Sequence, residues 1–245
     1  MLTMLSTGSW IALIVAAILI GLSKTALPGA TTLAVALFAS ILPARESTGT
    51  MLVLLLTGDL LAVWTYRHDA DWTTLRRLVP GVLAGVALGA LFLHLASDRA
   101  TRVFIGALLL VLIAVTLTLM RLPHPPSIQG GLGRAVYGTL SGFTTMAANA
   151  GGPVTTMYFL ASRFPISTFL GTTAWFYFLV NLVKLPFSIA LGIIRPETLG
   201  IDTVLAPVVI VSALAGRSLA RRMDKKVFDP LVTVLTVISA VYLLV

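Results

Sequence analysis

In a chain of 245 residues only 11% are charged while 58% are hydrophobic; a soluble domain averages about 25% charged residues, so a water-soluble globule is excluded. The net charge of +8 sits in short loops between apolar runs, with no aromatic-interleaved basic patch, which points to membrane topology and away from nucleic acid. Cysteine is absent, excluding disulfides and thiolate chemistry, and the three histidines (His68, His94, His124) lack ligand spacing, so no metal or other cofactor is expected.

The first apolar run has no basic region ahead of it. Its first lysine, Lys24, follows the run, so the segment reads as a mature membrane element rather than a secretory signal. The run is broken by "GLSKTALPGATT", Gly21 to Thr32. The fragment after the break, Ala30 to Leu42, has 13 residues. At about 1.5 Å per residue it is short for a bilayer crossing. Full-length spans are expected at Leu52–Tyr66, Leu78–Ala96 and Val103–Met120. "YRHDADW" (Tyr66 to Trp72) reads as a helix end, with Tyr66 and Trp72 at the membrane interface.

The Pro-rich break "RLPHPPSIQGG" divides the chain into repeats 1–122 and 134–245, joined by a linker at 123–133. The second repeat opens like the first. Its apolar run breaks near Asn149 to Pro153, in "MAANAGGPVTT", and Val154 to Phe164 is an 11-residue fragment. Spans are expected at Thr172–Ile194, Ile201–Ala215 and Val227–Val245. The aromatic run "TAWFYF" (Thr173 to Phe178) is expected to pack rather than to line a cavity. The run "RSLARRMDKK" reads as a basic cytoplasmic loop able to touch anionic lipid.

A shift of 122 positions superposes part of the first half on the second. Seven identities fall between Gly29 and Leu60: Gly29/Gly151, Ala39/Ala161, Ser40/Ser162, Pro43/Pro165, Gly49/Gly171, Thr50/Thr172 and Leu60/Leu182. Asp59 falls on Asn181, similar in shape. If each broken element counts as a hairpin or as two spans, each half crosses an odd number of times and the halves are inverted. Of the 17 Lys and Arg, Lys24 and Lys184 lie in apolar segments; the other 15 then divide eleven to four between the two sides. Parallel halves give nine to six. Positive-inside bias prefers the inverted arrangement, with both termini periplasmic and the Arg121–Arg134 linker cytoplasmic. The expected fold is an all-α polytopic membrane protein of about 8–10 segments, two inverted repeats each made of a broken or re-entrant helix pair plus three transmembrane helices.

Three ionisable residues are expected deep in the membrane: Lys24, Asp59 and Lys184. Each costs roughly 2.5–3.5 kcal/mol at the bilayer centre. A buried ion pair of Asp59 with one lysine could simply lock the bundle, but it leaves the other lysine unpaired. The surplus positive charge suits an anionic substrate, with Asp59 as charge balance or coupling group and Asn181 as its uncharged counterpart. The half-helices that follow Gly29 and Gly152 turn free N–H groups and positive dipole ends toward the interior. Thr31 and Thr32 in one half, and Gly151, Thr155 and Thr156 in the other, border those ends. Asn149 can adopt left-handed geometry and donate an amide hydrogen bond. Close helix packing alone is the simpler explanation for each glycine taken singly.

No Walker motif, nucleophile elbow or zinc-helix motif is present, which argues against ATP hydrolysis and against an enzyme. Two other classes stay open. Lys24, Asp59 and Ser23 could form a base–nucleophile set acting on an anionic lipid, or the chain could be a non-transporting membrane subunit.

"GLSKTALPG", "LPARESTGTMLVLLLTGDLLAVWTYRHDADW", "LSGFTTMAANAGGP" and "GTTAWFYFLVNLVKLPF" together resemble the sulfite exporter TauE/SafE family of bacterial membrane permeases. The resemblance runs from about Trp10 to the C-terminus. It implies transport of a small anion (sulfite, a sulfonate or another organosulfur or organic acid anion), usually as export across the inner membrane. The partners expected are that anion, membrane lipid and a coupling proton or sodium ion; a homodimer is compatible with the sequence.

Overall fold

The computed structural model describes residues 5–27, 30–97 and 130–224, with isolated positions between 99 and 114 and between 226 and 234. The expected spans at Val103–Met120 and Val227–Val245, most of the linker, and Gly29 lie outside the described residues or touch them only at isolated positions. The helices of the three continuous stretches are α1 (Thr7–Thr25), α2 (Thr31–Ile41), α3 (Ala44–Tyr66), α4 (Trp72–Leu95), α5 (Gly131–Ala148), α6 (Gly152–Ala161), α7 (Ile166–Ala190) and α8 (Pro196–Ala220). No strand occurs among the described residues. Five of these helices are long and apolar enough to cross a bilayer: α1, α3, α4, α7 and α8.

Both breaks are real, and both following helices are short, at 11 residues for α2 and 10 for α6. Each break has its own local chemistry. At the end of α1, Ala26 leaves helical geometry, and the N–H groups of Ala26 and Leu27 both donate to the Leu22 carbonyl. The freed Thr25 carbonyl accepts from the Tyr66 hydroxyl at 2.8 Å. Tyr66, at the end of α3, is therefore buried against the break, whereas Trp72 is 41% exposed. At the end of α5, Asn149 takes left-handed geometry (φ 52°), and its N–H returns to Thr145. Pro153 then occupies the first turn of α6, where no N–H is required.

The four longest spans begin earlier than apolarity alone suggests. The start of α3 carries Arg45 and Glu46, which an apolar window skips, yet the helix begins directly after Pro43. Likewise, α4 starts at Trp72 because the Asp71 carboxylate accepts from the Thr74 N–H at 3.0 Å, a side-chain cap.

Two helix pairs join the halves, and they correspond. The first helix of one repeat packs on the fourth helix of the other: α1 on α8, and α5 on α4. In α4, Gly81, Gly85 and Gly89 recur every fourth residue and press on α5, Gly81 against Gly138, Gly85 against Thr139 and Phe143, and Gly89 against Met146. Small residues at this spacing let membrane helices approach closely. A methyl group on Gly142 would run into the Val82 carbonyl. Gly142→Val is therefore expected to cost about 3 kcal/mol or more of stability through overpacking, read as a lowered melting temperature of the detergent-purified protein. The matching pair is tied by Thr25, whose hydroxyl donates to the Ala213 carbonyl at 2.7 Å.

Between these pairs, α3 and α7 cross in opposite directions. Gly49, near the start of α3, presses on Ile193 just beyond the end of α7. Gly171, near the start of α7, presses on Asp69 and Ala70 just beyond the end of α3. The Gly-Thr pair duplicated in the sequence thus does the same work twice. At the crossing point Asp59 meets Asn181, also partners at the shift of 122. The two sides differ in closure. While α8 lies along α3 and α1 also packs on α3, α4 touches α7 over a shorter stretch. It leaves an apolar gap of about 310 Å³ walled by residues that include Leu78, Val82, Phe176 and Val180.

Candidate functional site

A continuous chain of polar side chains runs through the centre of the bundle. The Lys24 ammonium lies 2.6 Å from Asp59 Oδ1. Asn181 Nδ2 donates to Asp59 Oδ2 at 2.6 Å. Lys184 Nζ donates to Asn181 Oδ1 at 3.2 Å and to Asn149 Oδ1 at 2.5 Å. Asn149 Nδ2 closes the chain on the Thr48 carbonyl at 2.9 Å. Every side chain in the series is buried, with Lys24 the most exposed at 7%. The chain links the break in the first repeat to the break in the second through α3 and α7.

The chain holds two lysines and one carboxylate. Lys24 has a carboxylate partner, but Lys184 has none within ion-pair distance among the described residues; it is held by amide oxygens alone. Lys24 also lies 4.8 Å from the centre of the Tyr177 ring, a cation–π contact that stabilises a desolvated ammonium.

Lys24, Asp59, Asn181 and Asn149 border a central cavity, which also reaches Thr31 at the start of α2 and Gly152 at the start of α6. The N-termini of both half-helices therefore open onto it. There is room of about 20 Å³ for the centres of water molecules, enough for about one water.

The remaining sequence candidates lie around this centre. Lys184 sits outside the cavity wall, bonded to Asn149 and Asn181. Gly151 caps α6, packed against Ser141 and Thr145. Thr155 is tied to the Ser141 hydroxyl at 2.5 Å and donates to the Gly151 carbonyl. Thr32 and Thr156 are buried away from the cavity lining. Ser23 borders the cavity, but its hydroxyl donates to the Ile20 carbonyl and pairs with Thr31. It is not placed as a nucleophile on Lys24.

Three polar cavity residues are not among the sequence candidates: Thr145, Thr173 and Tyr177. Two of these belong to "TAWFYF", expected to pack only. The run divides: Thr173, Ala174 and Tyr177 face the cavity, while Phe176 packs in the core and Trp175 stacks on Trp72. Helical spacing is the signal, since Thr173, Tyr177 and Asn181 recur every fourth residue on one face. Burial also takes in an acid that the sequence candidates leave out. Asp202 of α8 is a fourth buried ionisable residue, 3% exposed, and neither carboxylate oxygen has a hydrogen-bond partner among the described residues. An apolar window starting at Ile201 reads Asp202 as a helix-end residue, but α8 begins at Pro196 and carries it inward.

No group of three or more metal-binding side chains occurs among the described residues. The family model for the sulfite exporter TauE/SafE matches residues 13–243, nearly the whole chain. No curated protein and no solved structure matches the chain.

Proposed function

The chain belongs to the sulfite exporter TauE/SafE family, whose members are membrane transporters, and on that premise we propose that it moves a small sulfur-containing or organic acid anion outward across the bacterial inner membrane. The observation that carries this reading is the buried polar chain with two lysines and one carboxylate, which borders a cavity at two half-helix N-termini. An incoming anion would supply the missing negative charge. Lys24 is its direct partner, and the first-turn N–H groups near Gly152 and Thr31 receive its oxygens. Lys184 adds positive potential from behind Asn149 and Asn181. Asp59 balances Lys24 while the site is empty and, once an anion takes Lys24, accepts the coupling proton or sodium ion.

The transport cycle follows from the unequal closure of the two sides. We propose that the repeats are inverted, as the antiparallel crossing of α3 and α7 and the exchanged helix pairs support. One pair, α1 with α8, is closed on α3. Its counterpart, α4 with α5, stands off α7. Exchanging these two conformations would open the cavity to one side of the membrane and then to the other, as in other transporters built from inverted repeats. The eleven-to-four division of loop Lys and Arg orients the cycle, with the linker cytoplasmic and both termini periplasmic.

This reading is tested by reconstituting the purified protein into proteoliposomes and following sulfite, a sulfonate and a carboxylate. Movement of at least one is expected. The intramembrane-enzyme reading predicts product formation in detergent, without compartments, and the placement of Ser23 gives it no support.

A further inference from the structure

Thr173 is 5% exposed, and its hydroxyl has no hydrogen-bond partner among the described residues. Threonines within helices usually return their hydroxyl to the carbonyl four residues earlier. Thr25, Thr57, Thr155 and Thr203 all do so here. Thr173 does not, although α7 is continuous around it; Thr32 and Thr50 share the lack, but neither borders the cavity. The Thr173 side chain instead borders the central cavity together with Lys24 and Gly152. Nor does the fold require a hydroxyl at this place. The position matched to it by the 122-residue shift is Met51, itself buried at 1% exposure.

The donors left over around the cavity come from three directions. Asp59 occupies one N–H of the Lys24 ammonium, which has three. Gly152 opens α6, where an N–H has no acceptor within its own helix. Thr173 supplies the third. A carboxylate has lone pairs enough for all of these donors, but its two oxygens lie in one plane and cannot point in three directions at once. A sulfonate or hydrogensulfite presents three oxygens.

We propose that Thr173 is the specificity residue of the site, donating to the third oxygen of an –SO3 group and so favouring it over a carboxylate. The proposal rests on the anion-permease reading above. Because the hydroxyl has no protein partner, its loss removes no bond of the empty protein. Thr173→Val should therefore leave the melting temperature unchanged or raise it, which a purely structural threonine would not do.

The test is calorimetric titration of the purified protein with methanesulfonate and with acetate. A hydrogen bond to a charged ligand predicts that Thr173→Val weakens methanesulfonate about 10- to 100-fold while acetate changes by less than about threefold. Thr173→Ser, which keeps the hydroxyl, should restore methanesulfonate binding. Equal losses for both anions, an unchanged methanesulfonate affinity, or no rescue by serine would each overturn the assignment. A wild-type protein that binds methanesulfonate and acetate equally well would overturn it too, leaving the permease reading intact. A wild-type protein that binds neither anion would count against that reading itself.

Discussion

Lys24→Ala is expected to reduce anion flux in proteoliposomes at least about 100-fold and to destabilise the protein by about 3–5 kcal/mol, because removing one partner of a buried ion pair leaves the other charge alone. The partner is Asp59, 2.6 Å away and fully buried. The two effects can be separated. Replacing both partners by apolar residues of similar volume is often neutral for stability. The double variant Lys24→Met/Asp59→Leu should therefore regain most of the lost melting temperature and still carry no anion. A lysine that only locks the bundle would behave differently, since restoring stability would restore flux. Thermal unfolding in detergent beside flux measurements on the same preparations distinguishes the two.

A thiol cross-link between α4 and α7 is expected to arrest transport, with at least about a tenfold loss of flux that a reducing agent reverses, because closure of that gap is a step of the proposed cycle. The natural chain has no cysteine, so Val82→Cys/Val180→Cys introduces the only two thiols. Both positions wall the apolar gap. The uncross-linked double variant should transport near the wild-type rate, since neither residue touches the polar chain. Full transport by the cross-linked protein would mean that the α4/α5 pair is static against α7 and that access changes elsewhere. Comparing flux before and after reduction in one preparation removes differences in expression.

How much of this was written in the sequence depends on the kind of interaction. The broken helices were legible because proline, glycine and asparagine act locally. Asn149 takes its left-handed geometry, and Pro153 sits in a first turn, whatever packs around them. The duplicated Gly-Thr pair was legible as a repeat, though its purpose was not. Only the fold shows that Gly49 and Gly171 each meet the turn of the opposite half. Lys24, Asp59 and Lys184 stood out because charge in an apolar run is costly.

Pairing was harder to foresee. Nothing in the sequence says that Lys24 takes Asp59 while Lys184 is left to Asn149 and Asn181. That choice depends on where α3 and α7 cross. Nothing near Tyr66 in the sequence says that its hydroxyl satisfies a carbonyl freed by the break 41 residues earlier. Thr173 was hidden by the aromatic residues around it, and Asp202 by an apolar window that began too late. Each miss concerns a side chain whose role is fixed by a distant segment.

The central claim is that the buried Lys24–Asp59–Asn181–Lys184 chain is the heart of an anion pathway. Its most direct test is flux of sulfite, methanesulfonate and acetate into proteoliposomes containing the wild-type protein or Lys24→Ala, each checked for correct folding. At least one of these anions is expected to move through the wild-type protein, and Lys24→Ala to carry it at the rate of empty liposomes. Full flux through Lys24→Ala, or no flux of any of the three through the wild-type protein, would contradict the claim.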